Sequence, residues 1–357
     1  MSVFVVRTPR EEYPVHVERG LLSRAAAHIP ARAGKIFVVT TSDVWERHGA
    51  ALSRHQVLFF PGGEERKRLA SVEALAEQMV AGGADRSSLV IALGGGIVTD
   101  LGGFLAASFM RGIPVIHVPT TLLAQVDAAI GGKTGVNLQS GKNLFGAFHQ
   151  PLAVLIDPDV LATLPPREYR AGLYEVLKAG IIRDRALFDT MAQRPGDVLA
   201  QVPTVVDSLI EAAVRVKVDV VSADEKESGL RRVLNFGHTL GHALEAETAY
   251  ARFLHGEAVA FGMKAATHLS HLTGHLSAED AVDILEAIDA YGPIPPLDGI
   301  FAERLVARLG SDKKTIQGAV HFVLATAIGE TKIVSGIDPK LILEAARLAA
   351  HPPAARA

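Results

Sequence analysis

The sequence contains no cysteine among its 357 residues, which excludes disulfide bonds and any zinc site built on thiolates. A zinc ion would need His, Asp and Glu ligands, a set more typical of catalytic sites than of structural ones. The sequence also lacks an excess of positive charge, because its formal net charge is -3 at pH 7. This argues against the basic surface with which proteins bind nucleic acid or anionic lipid, so any binding of phosphate groups must depend on a local cluster.

Long apolar runs are missing as well. No apolar stretch reaches about 18 residues without a charge or a helix-breaking residue, so we expect no membrane-spanning helix. Residues 1–7 lack the charged and then apolar pattern of a signal peptide, which favours a cytoplasmic protein. Hydrophobic residues nevertheless make up 48% of the chain, enough to bury two cores, and we expect two domains.

The N-terminal part of the chain alternates short β-rich runs with helical patterns such as residues 69–81. Buried strands are predicted at residues 36–40, 57–60, 89–93, 114–118 and 153–157. This alternation is typical of a doubly wound parallel sheet, the architecture of many nucleotide-binding domains.

The pattern changes near residues 164–167, after which helical spacing continues to Ala349. A hairpin around Gly329 is the one predicted interruption, with strands at residues 321–327 and 331–334. We therefore predict two domains: an α/β nucleotide-binding domain at residues 1–162 and a mainly α-helical metal-binding domain at residues 163–357.

Three histidines in two neighbouring segments predict a metal site in the helical part. His238 and His242 are four residues apart, so on a helix both rings lie on one face, and His255 follows about a dozen residues later. Glu175, in a helical pattern upstream, could add an anionic ligand. Catalytic zinc usually takes three protein ligands and leaves one position open. Packing or surface histidines are the alternative interpretation.

A run of three glycines follows the predicted strand at residues 89–93 and precedes a helical pattern. Glycines allow the backbone to approach a pyrophosphate, and the amides of a helix N-terminus can bind it. The position of this loop at the end of a strand favours a dinucleotide site, although a tight turn would also explain the glycines. The residues concerned are Gly94, Gly95 and Gly96, with Asp100 in the first helical turn.

Lysines beside glycines and threonines form a second pattern, over residues 127–143. Ammonium groups next to exposed backbone amides suit a phosphate or a carboxylate. The Gly-Lys-Thr at residues 132–134 lacks the spacing of a Walker motif, which excludes a P-loop NTPase. If these lysines converge with the basic residues downstream, rather than lying singly on solvated helix faces, the substrate should carry more than one negative charge.

The combination of these motifs resembles the 3-dehydroquinate synthase family of sugar-phosphate cyclases. The motifs that carry the resemblance occur in order between Gly62 and Lys314, at residues 94–100, 119–121, 131–134, 141–143, 175–178, 235–238 and 255–257. The resemblance implies an NAD- and zinc-dependent homodimer, with cobalt as an alternative metal. It implies conversion of 3-deoxy-arabino-heptulosonate 7-phosphate into 3-dehydroquinate and phosphate, in the shikimate pathway of aromatic amino acid biosynthesis.

The resemblance also implies roles for individual residues. The metal ligands would be Glu175, His238 and His255, so that His242 faces the substrate instead of pairing with His238 on the ion. The remaining substrate contacts would be Lys178, Lys217, Arg231 and Asn235, with Arg111, Lys133, Asn143 and either Lys313 or Lys314 near the phosphate. Cofactor contacts would be Gly94, Gly95, Gly96, Asp100, Thr120, Thr121, Asp127, Lys142 and Thr163, with Glu64 and Lys67 around the adenosine ribose.

Three rival functions stay open on the sequence alone. A metal-dependent polyol dehydrogenase would also need NAD and a metal, but it would form NADH in net amounts. A cyclase acting on another sugar phosphate would share the ring chemistry. An inactive relative that serves as a binding protein would share the fold, although this chain has every predicted metal ligand.

Overall fold

The computed structural model describes residues 1–309 and 320–350, which divide into two compact units. The first unit comprises residues 1–169 together with 217–226. The second unit comprises residues 170–216 and the described residues from 227 onward. The return of residues 217–226 to the first unit is a feature that no sequence pattern indicates.

The first unit is built on strands with helices between them. Its strands are β1 (Ser2–Arg7), β2 (Glu12–Val17), β3 (Ile36–Thr40), β4 (Gln56–Phe59), β5 (Leu89–Gly94), β6 (Val115–Pro119), β7 (Lys133–Leu138), β8 (Gly141–Phe148) and β9 (Ala153–Ile156). Its α-helices are α1 (Ser42–His48), α2 (Leu69–Ala81) and α3 (Gly96–Ser108). Short 3-10 helices lie at Leu21–His28, Gly49–Leu52, Glu64–Arg66, Phe109–Arg111 and Pro158–Thr163, and a π-helical turn lies at Ala124–Ala128.

Seven of these strands form one sheet in the order β1-β2-β9-β6-β5-β3-β4. The strands from β2 to β4 run parallel to one another, and only β1 is antiparallel to its neighbour. Alternate residues of β3 belong to different apolar clusters, Phe37 and Val39 to one and Val38 to the other. Because alternate side chains of a strand point to opposite faces, both faces of the sheet are covered. The predicted doubly wound parallel sheet is confirmed.

Two antiparallel strand pairs in the first unit are not predicted by the sequence pattern. One is β1 with β2, and the other is the separate two-stranded ribbon of β7 and β8. In that ribbon a Cβ at Gly146 would overlap the carbonyl oxygen of Thr134, so the two backbones approach more closely than side chains would permit. Glycine, lysine and asparagine have low strand propensity, which hides this ribbon in the sequence.

The second unit is mainly helical. Its elements are α4 (Pro166–Arg183, which starts in the first unit), α5 (Arg185–Gln193), α6 (Pro195–Leu199), α7 (Pro203–Ala223, which ends in the first unit), α8 (His238–Glu247), α9 (His255–Leu272), α10 (Ala278–Ala290), α11 (Ala302–Leu309), β10 (His321–Ala327), β11 (Glu330–Ser335) and α12 (Pro339–Ala350). A 3-10 helix at Leu230–Asn235 precedes α8. Helices α8, α9, α11 and α12 share one apolar core with β10, which includes Leu244, Phe261, Leu305 and Phe322. The predicted helical half and its hairpin are confirmed.

None of the helices in the described part of the chain is both long enough and apolar enough to span a bilayer.

Candidate functional site

Three donor side chains meet in the second unit: Glu175 from α4, His238 from α8 and His255 from α9. Their ligand atoms all lie within 4.8 Å of one another. Glu175 Oε1 is 3.8 Å from His238 Nε2 and 3.6 Å from His255 Nε2. Two ligands bound to one tetrahedral zinc ion are about 3.3–3.6 Å apart, so the group is close to the spacing that zinc requires.

The two oxygens of Glu175 have different surroundings. Glu175 is only 2% exposed, and its Oε2 accepts a hydrogen bond from Lys178 one turn along α4. Its Oε1 has no hydrogen-bond partner among the described residues and faces the two imidazoles. A buried carboxylate oxygen without a partner is strongly unfavourable. A divalent cation between the carboxylate and the imidazoles would satisfy it, so the donor set fits a metal.

His238 is held in the form that binds metals. Its Nδ1 lies 3.2 Å from the carbonyl oxygen of Phe236, which can only accept, so Nδ1 carries the proton and the Nε2 lone pair faces Glu175. Burial, and next the charge of Lys178, lower the pKa of His238 well below its usual value. A neutral imidazole with an oriented second nitrogen is the usual state of a metal-binding histidine.

His242 lies beside this group. Its ring centroid is 5.2 Å from that of His238 and 5.9 Å from that of His255. With Glu245 and His255 it forms a second set of donors within the same spacing, although only the first set contains the buried oxygen without a partner. Glu245 belongs to none of the sequence motifs. The only sequence indication that it lies near the histidines is its position seven residues after His238, on the same face of the helix.

Close helix packing brings the three candidate ligands together. A Cβ at Gly256 would overlap the carbonyl oxygen of Ala171, so α9 contacts the backbone of α4 one turn before Glu175. A Cβ at Gly262 would similarly overlap the carbonyl oxygen of Gly237, which lies at the start of α8 and adopts a left-handed φ of 80°. These glycines place His255 beside α4 and His238 beside α9.

The start of α9 is fixed by the last residue of the His-Gly-Glu motif. Glu257 is buried, and its Oε2 accepts a hydrogen bond of 2.8 Å from the backbone amide of Leu254. This contact caps the helix directly before His255. Glu257 therefore has a structural role next to a predicted ligand.

Other predicted residues of the second unit lie in buried or paired positions. Arg231 is almost fully buried on the 3-10 helix before α8, and Asn235 Nδ2 donates to Glu227 Oε1 at 2.5 Å. Lys178 forms the buried pair with Glu175. Lys313 and Lys314 lie outside the described residues.

In the first unit the glycine loop joins β5 to α3. A Cβ at Gly94 would lie 2.7 Å from the side chain of Val98, and one at Gly95 would lie 2.9 Å from Thr121 Cγ2, so local packing already requires glycine at both positions. Gly96 opens α3, whose N-terminus has no side-chain cap. Its first amides can therefore serve an anion such as a pyrophosphate.

A polar network lies beside this loop. Lys67, only 3% exposed, donates to Asp100 Oδ2 and, at 2.6 Å, to Asn143 Oδ1. Burial raises the pKa of the Asp100 carboxyl, although the charge of Lys67 opposes the rise. The structure therefore joins Lys67, predicted near the ribose, to Asp100, predicted to contact the cofactor, and to Asn143, predicted near the phosphate.

Asn137 extends this network to Glu64, a role that no sequence motif signals. Its Nδ2 donates to Glu64 Oε1 at 2.7 Å, and its Oδ1 accepts from the amide of Asn143 at 2.9 Å. Lys142 Nζ lies 3.9 Å from the same Glu64 oxygen. Asn143 itself has a left-handed φ of 52°, a conformation that asparagine tolerates better than most residues.

The remaining predicted residues of the first unit are more scattered. Lys217 Nζ donates to Asp127 Oδ1 at 2.5 Å, which pairs two predicted site residues. Lys133 and Arg111 are exposed, and Arg111 has a left-handed φ of 68°. Thr120 is buried after β6, whereas Thr163 donates to the carbonyl oxygen of Val160 and accepts from His48.

Comparisons with known proteins agree on one family. Residues 57–171 match the family model described as 3-dehydroquinate synthase N-terminal, and residues 172–315 match the one described as 3-dehydroquinate synthase C-terminal. A 3-dehydroquinate synthase of Solibacter usitatus is 62% identical over 355 residues, which covers 98% of this chain and 99% of the relative.

Two solved structures are similar over 97% of this chain and 99% of their own length, each with a TM-score of 0.86. One is a 2-deoxy-scyllo-inosose synthase, 25% identical, in complex with carbaglucose-6-phosphate, NAD+ and Co2+. The other is a 2-epi-5-epi-valiolone synthase from Streptomyces hygroscopicus, 29% identical, with NAD+ and Zn2+ bound.

The packing of α9 against α4 gives a direct test of how Glu175, His238 and His255 are held together. We expect Gly256→Ala to weaken zinc binding and to destabilise the protein by about 2–4 kcal/mol, since the backbone of Ala171 cannot yield without separating the helices. Thermal unfolding with and without zinc, and zinc content after gel filtration, measure both effects.

Gly196→Ala is the matched control. A Cβ there would meet nothing within 4 Å, and alanine is the better helix former in α6, so stability should stay within about 1 kcal/mol of wild type. Wild-type zinc content and melting temperature in Gly256→Ala would contradict the proposed helix contact.

Proposed function

Because the chain belongs to the 3-dehydroquinate synthase family, we propose that it performs that reaction with NAD and zinc as cofactors. The reaction converts 3-deoxy-arabino-heptulosonate 7-phosphate into 3-dehydroquinate and phosphate, so the enzyme is a carbon–oxygen lyase of the shikimate pathway. The observation that carries the cofactor assignment is the buried Glu175 Oε1, which faces two imidazole nitrogens and has no hydrogen-bond partner among the described residues.

We assign the metal to Glu175, His238 and His255, in the proposed domain at residues 163–357. Bound zinc, or cobalt, would supply Lewis acidity that lowers the pKa of the substrate hydroxyl to be oxidised. Lys178 occupies Glu175 Oε2 and so leaves a single carboxylate oxygen for the ion. His242, whose ring lies beside both histidine ligands, is proposed to exchange protons with the substrate.

We assign NAD to the proposed domain at residues 1–162. NAD would accept a hydride from the substrate and return it, so that no NADH accumulates. The helix N-terminus at Gly96 suits the pyrophosphate, and the network of Glu64, Lys67 and Asp100 suits the hydroxyl-rich parts of the dinucleotide. Thr120, Thr121, Asp127, Lys142 and Thr163 remain proposed contacts.

The basic and amide side chains are proposed to hold the substrate, which carries both a phosphate and a carboxylate. Arginine binds such groups through two parallel hydrogen bonds, and lysine acts as a point charge. Their task is to position the phosphate and to stabilise its departing charge. The leaving phosphate itself would accept the proton from the carbon next to the transient ketone, as the family resemblance implies, so no carboxylate base is proposed for that step. The residues are Arg111, Lys133, Lys142, Asn143, Lys178, Lys217, Arg231, Asn235 and Lys313, of which Lys313 lies outside the described residues.

A homodimer and a cytoplasmic location complete the proposal. Leu144 and Phe148, which lie on the same face of β8, are 46% and 44% exposed, and association with a second copy would cover these large apolar side chains. The cytoplasm is where NAD and charged sugar phosphates are retained.

The reaction itself can be followed with two signals. With the heptulosonate phosphate, zinc and trace NAD, we expect phosphate to be released in large molar excess over NAD, while the absorbance of reduced nicotinamide stays at baseline. Exhaustive chelation should stop the release, and added zinc should restore it.

Each rival function gives a different result in this assay. Accumulating NADH with an unphosphorylated polyol would indicate a dehydrogenase. Phosphate release from a different sugar phosphate alone would indicate another cyclase. No turnover of any substrate by metal-loaded protein would indicate an inactive relative.

The association state tests the role of β8. Light scattering after gel filtration should give the mass of two chains for wild type and of one chain for the double variant Leu144→Asp/Phe148→Asp, because buried carboxylates would destabilise the interface. Leu199→Asp, at an exposed leucine on α6, should remain dimeric. A wild-type mass of one chain would contradict the proposed dimer.

A further inference from the structure

His255 lies between two buried carboxylates. Its Nε2 is 3.6 Å from Glu175 Oε1, and its Nδ1 is 3.4 Å from Glu245 Oε2. Glu245 is only 1% exposed. The two ring nitrogens of His255 therefore face different acidic groups, of which only Glu175 has an oxygen without a hydrogen-bond partner in the described chain.

We propose that Glu245 is a positioning residue, which accepts the Nδ1 proton of His255 in a hydrogen bond and so directs the Nε2 lone pair toward the metal. The inference rests on the proposed metal assignment of His255. An ionised carboxylate only accepts hydrogen bonds, so its contact with Nδ1 selects the tautomer in which Nε2 is unprotonated. A carboxylate behind a histidine ligand also fixes the orientation of the ring and raises the basicity of the ligand nitrogen.

The fold explains why His255 needs this support and His238 does not. His238 is held by the backbone carbonyl oxygen of Phe236, only two residues away. His255 is the first residue of α9, and a side chain from α8 holds its ring instead. The two ligands thus obtain the same tautomer from different sources.

Helix α8 supplies this carboxylate in register with the ligand. His238, His242 and Glu245 are spaced i, i+4 and i+7, so the three side chains lie along one face of the helix. One helix face therefore carries a metal ligand, the histidine beside it and the carboxylate that holds the ligand from α9. A glutamate buried to this degree is stable only when donors face it, and His255 is one such donor.

Glu245 could instead be a ligand itself, in the second donor set with His242 and His255. The first set is favoured because a metal in the second set would leave Glu175 Oε1 buried and without a partner. The two arrangements predict different behaviour when Glu175 and Glu245 are changed one at a time.

The test measures zinc affinity rather than turnover. In the full-length protein we expect Glu245→Ala to weaken zinc binding about 10- to 100-fold in competition with a chelator of known affinity. Glu245→Gln keeps an oxygen that can accept from Nδ1 without a charge, so its loss should be smaller. Glu247→Gln, on the same helix but paired with Arg304 and Arg308, is the matched control and should bind zinc like wild type.

Two further readouts separate positioning from other roles. The visible absorption bands of the cobalt-substituted protein should be the same in Glu245→Gln as in wild type, since no ligand is lost. The metal-free melting temperature of Glu245→Gln should stay close to that of wild type. A purely structural role would instead lower that melting temperature and leave zinc affinity unchanged, which would overturn the inference.

The remaining outcomes distinguish a failure of this inference from a failure of the proposed function. If Glu245→Gln changes the cobalt spectrum as much as Glu245→Ala does, while Glu175→Ala still binds zinc, then Glu245 is a ligand and the inference is wrong. If wild type binds zinc tightly and both Glu245 variants match it, only this inference fails. If wild type itself binds no zinc, the proposed function fails first.

Discussion

One buried carboxylate organises the proposed metal site of this protein, which consists of Glu175, His238 and His255. Glu175 is tied to Lys178 through one oxygen and presents the other, without a hydrogen-bond partner in the described chain, to two imidazole nitrogens. An arrangement of this kind is unfavourable in an empty protein interior and favourable around a divalent ion. The metal is therefore expected to contribute to the stability of the second unit as well as to the chemistry, because the ion would satisfy Glu175 Oε1, a buried oxygen that has no hydrogen-bond partner among the described residues.

Close helix contacts and hydrogen bonds to the histidines hold the three side chains of this site in place. Glycines at 237, 256 and 262 remove the side chains that would keep α4, α8 and α9 apart. Backbone and carboxylate acceptors fix the tautomers of the two histidines. The first unit follows a different design, in which a glycine loop opens a helix N-terminus and a buried lysine joins the side chains around it. The two family models together cover both halves of the chain, and the similar solved cyclases contain both NAD+ and a metal ion.

Much of this could be predicted from the sequence, and the omissions have physical causes. The buried strands of the sheet, helix α2 and the hairpin of β10 and β11 follow from apolar runs and periodicity, which are local signals. The spacing of His238 and His242 places both rings on one face of α8 and so suggests that they bind together. Spacing within one helix cannot show which side chains of other helices lie beside His238. Glu245 and Asn137 were missed for the same reason: their importance depends on which side chain they face across the fold. The β7–β8 ribbon is not predicted because its glycines, which allow the two backbones to approach closely, have low strand propensity and give no strand pattern.

We expect one divalent ion to bind to Glu175 Oε1, His238 Nε2 and His255 Nε2. Anomalous X-ray diffraction from zinc-soaked crystals, recorded on both sides of the zinc absorption edge, would locate this ion. One strong peak is expected in the second unit, about 2.0–2.2 Å from each of these three atoms. A peak bound instead by His242 and Glu245, or the absence of any peak at Glu175, would contradict it.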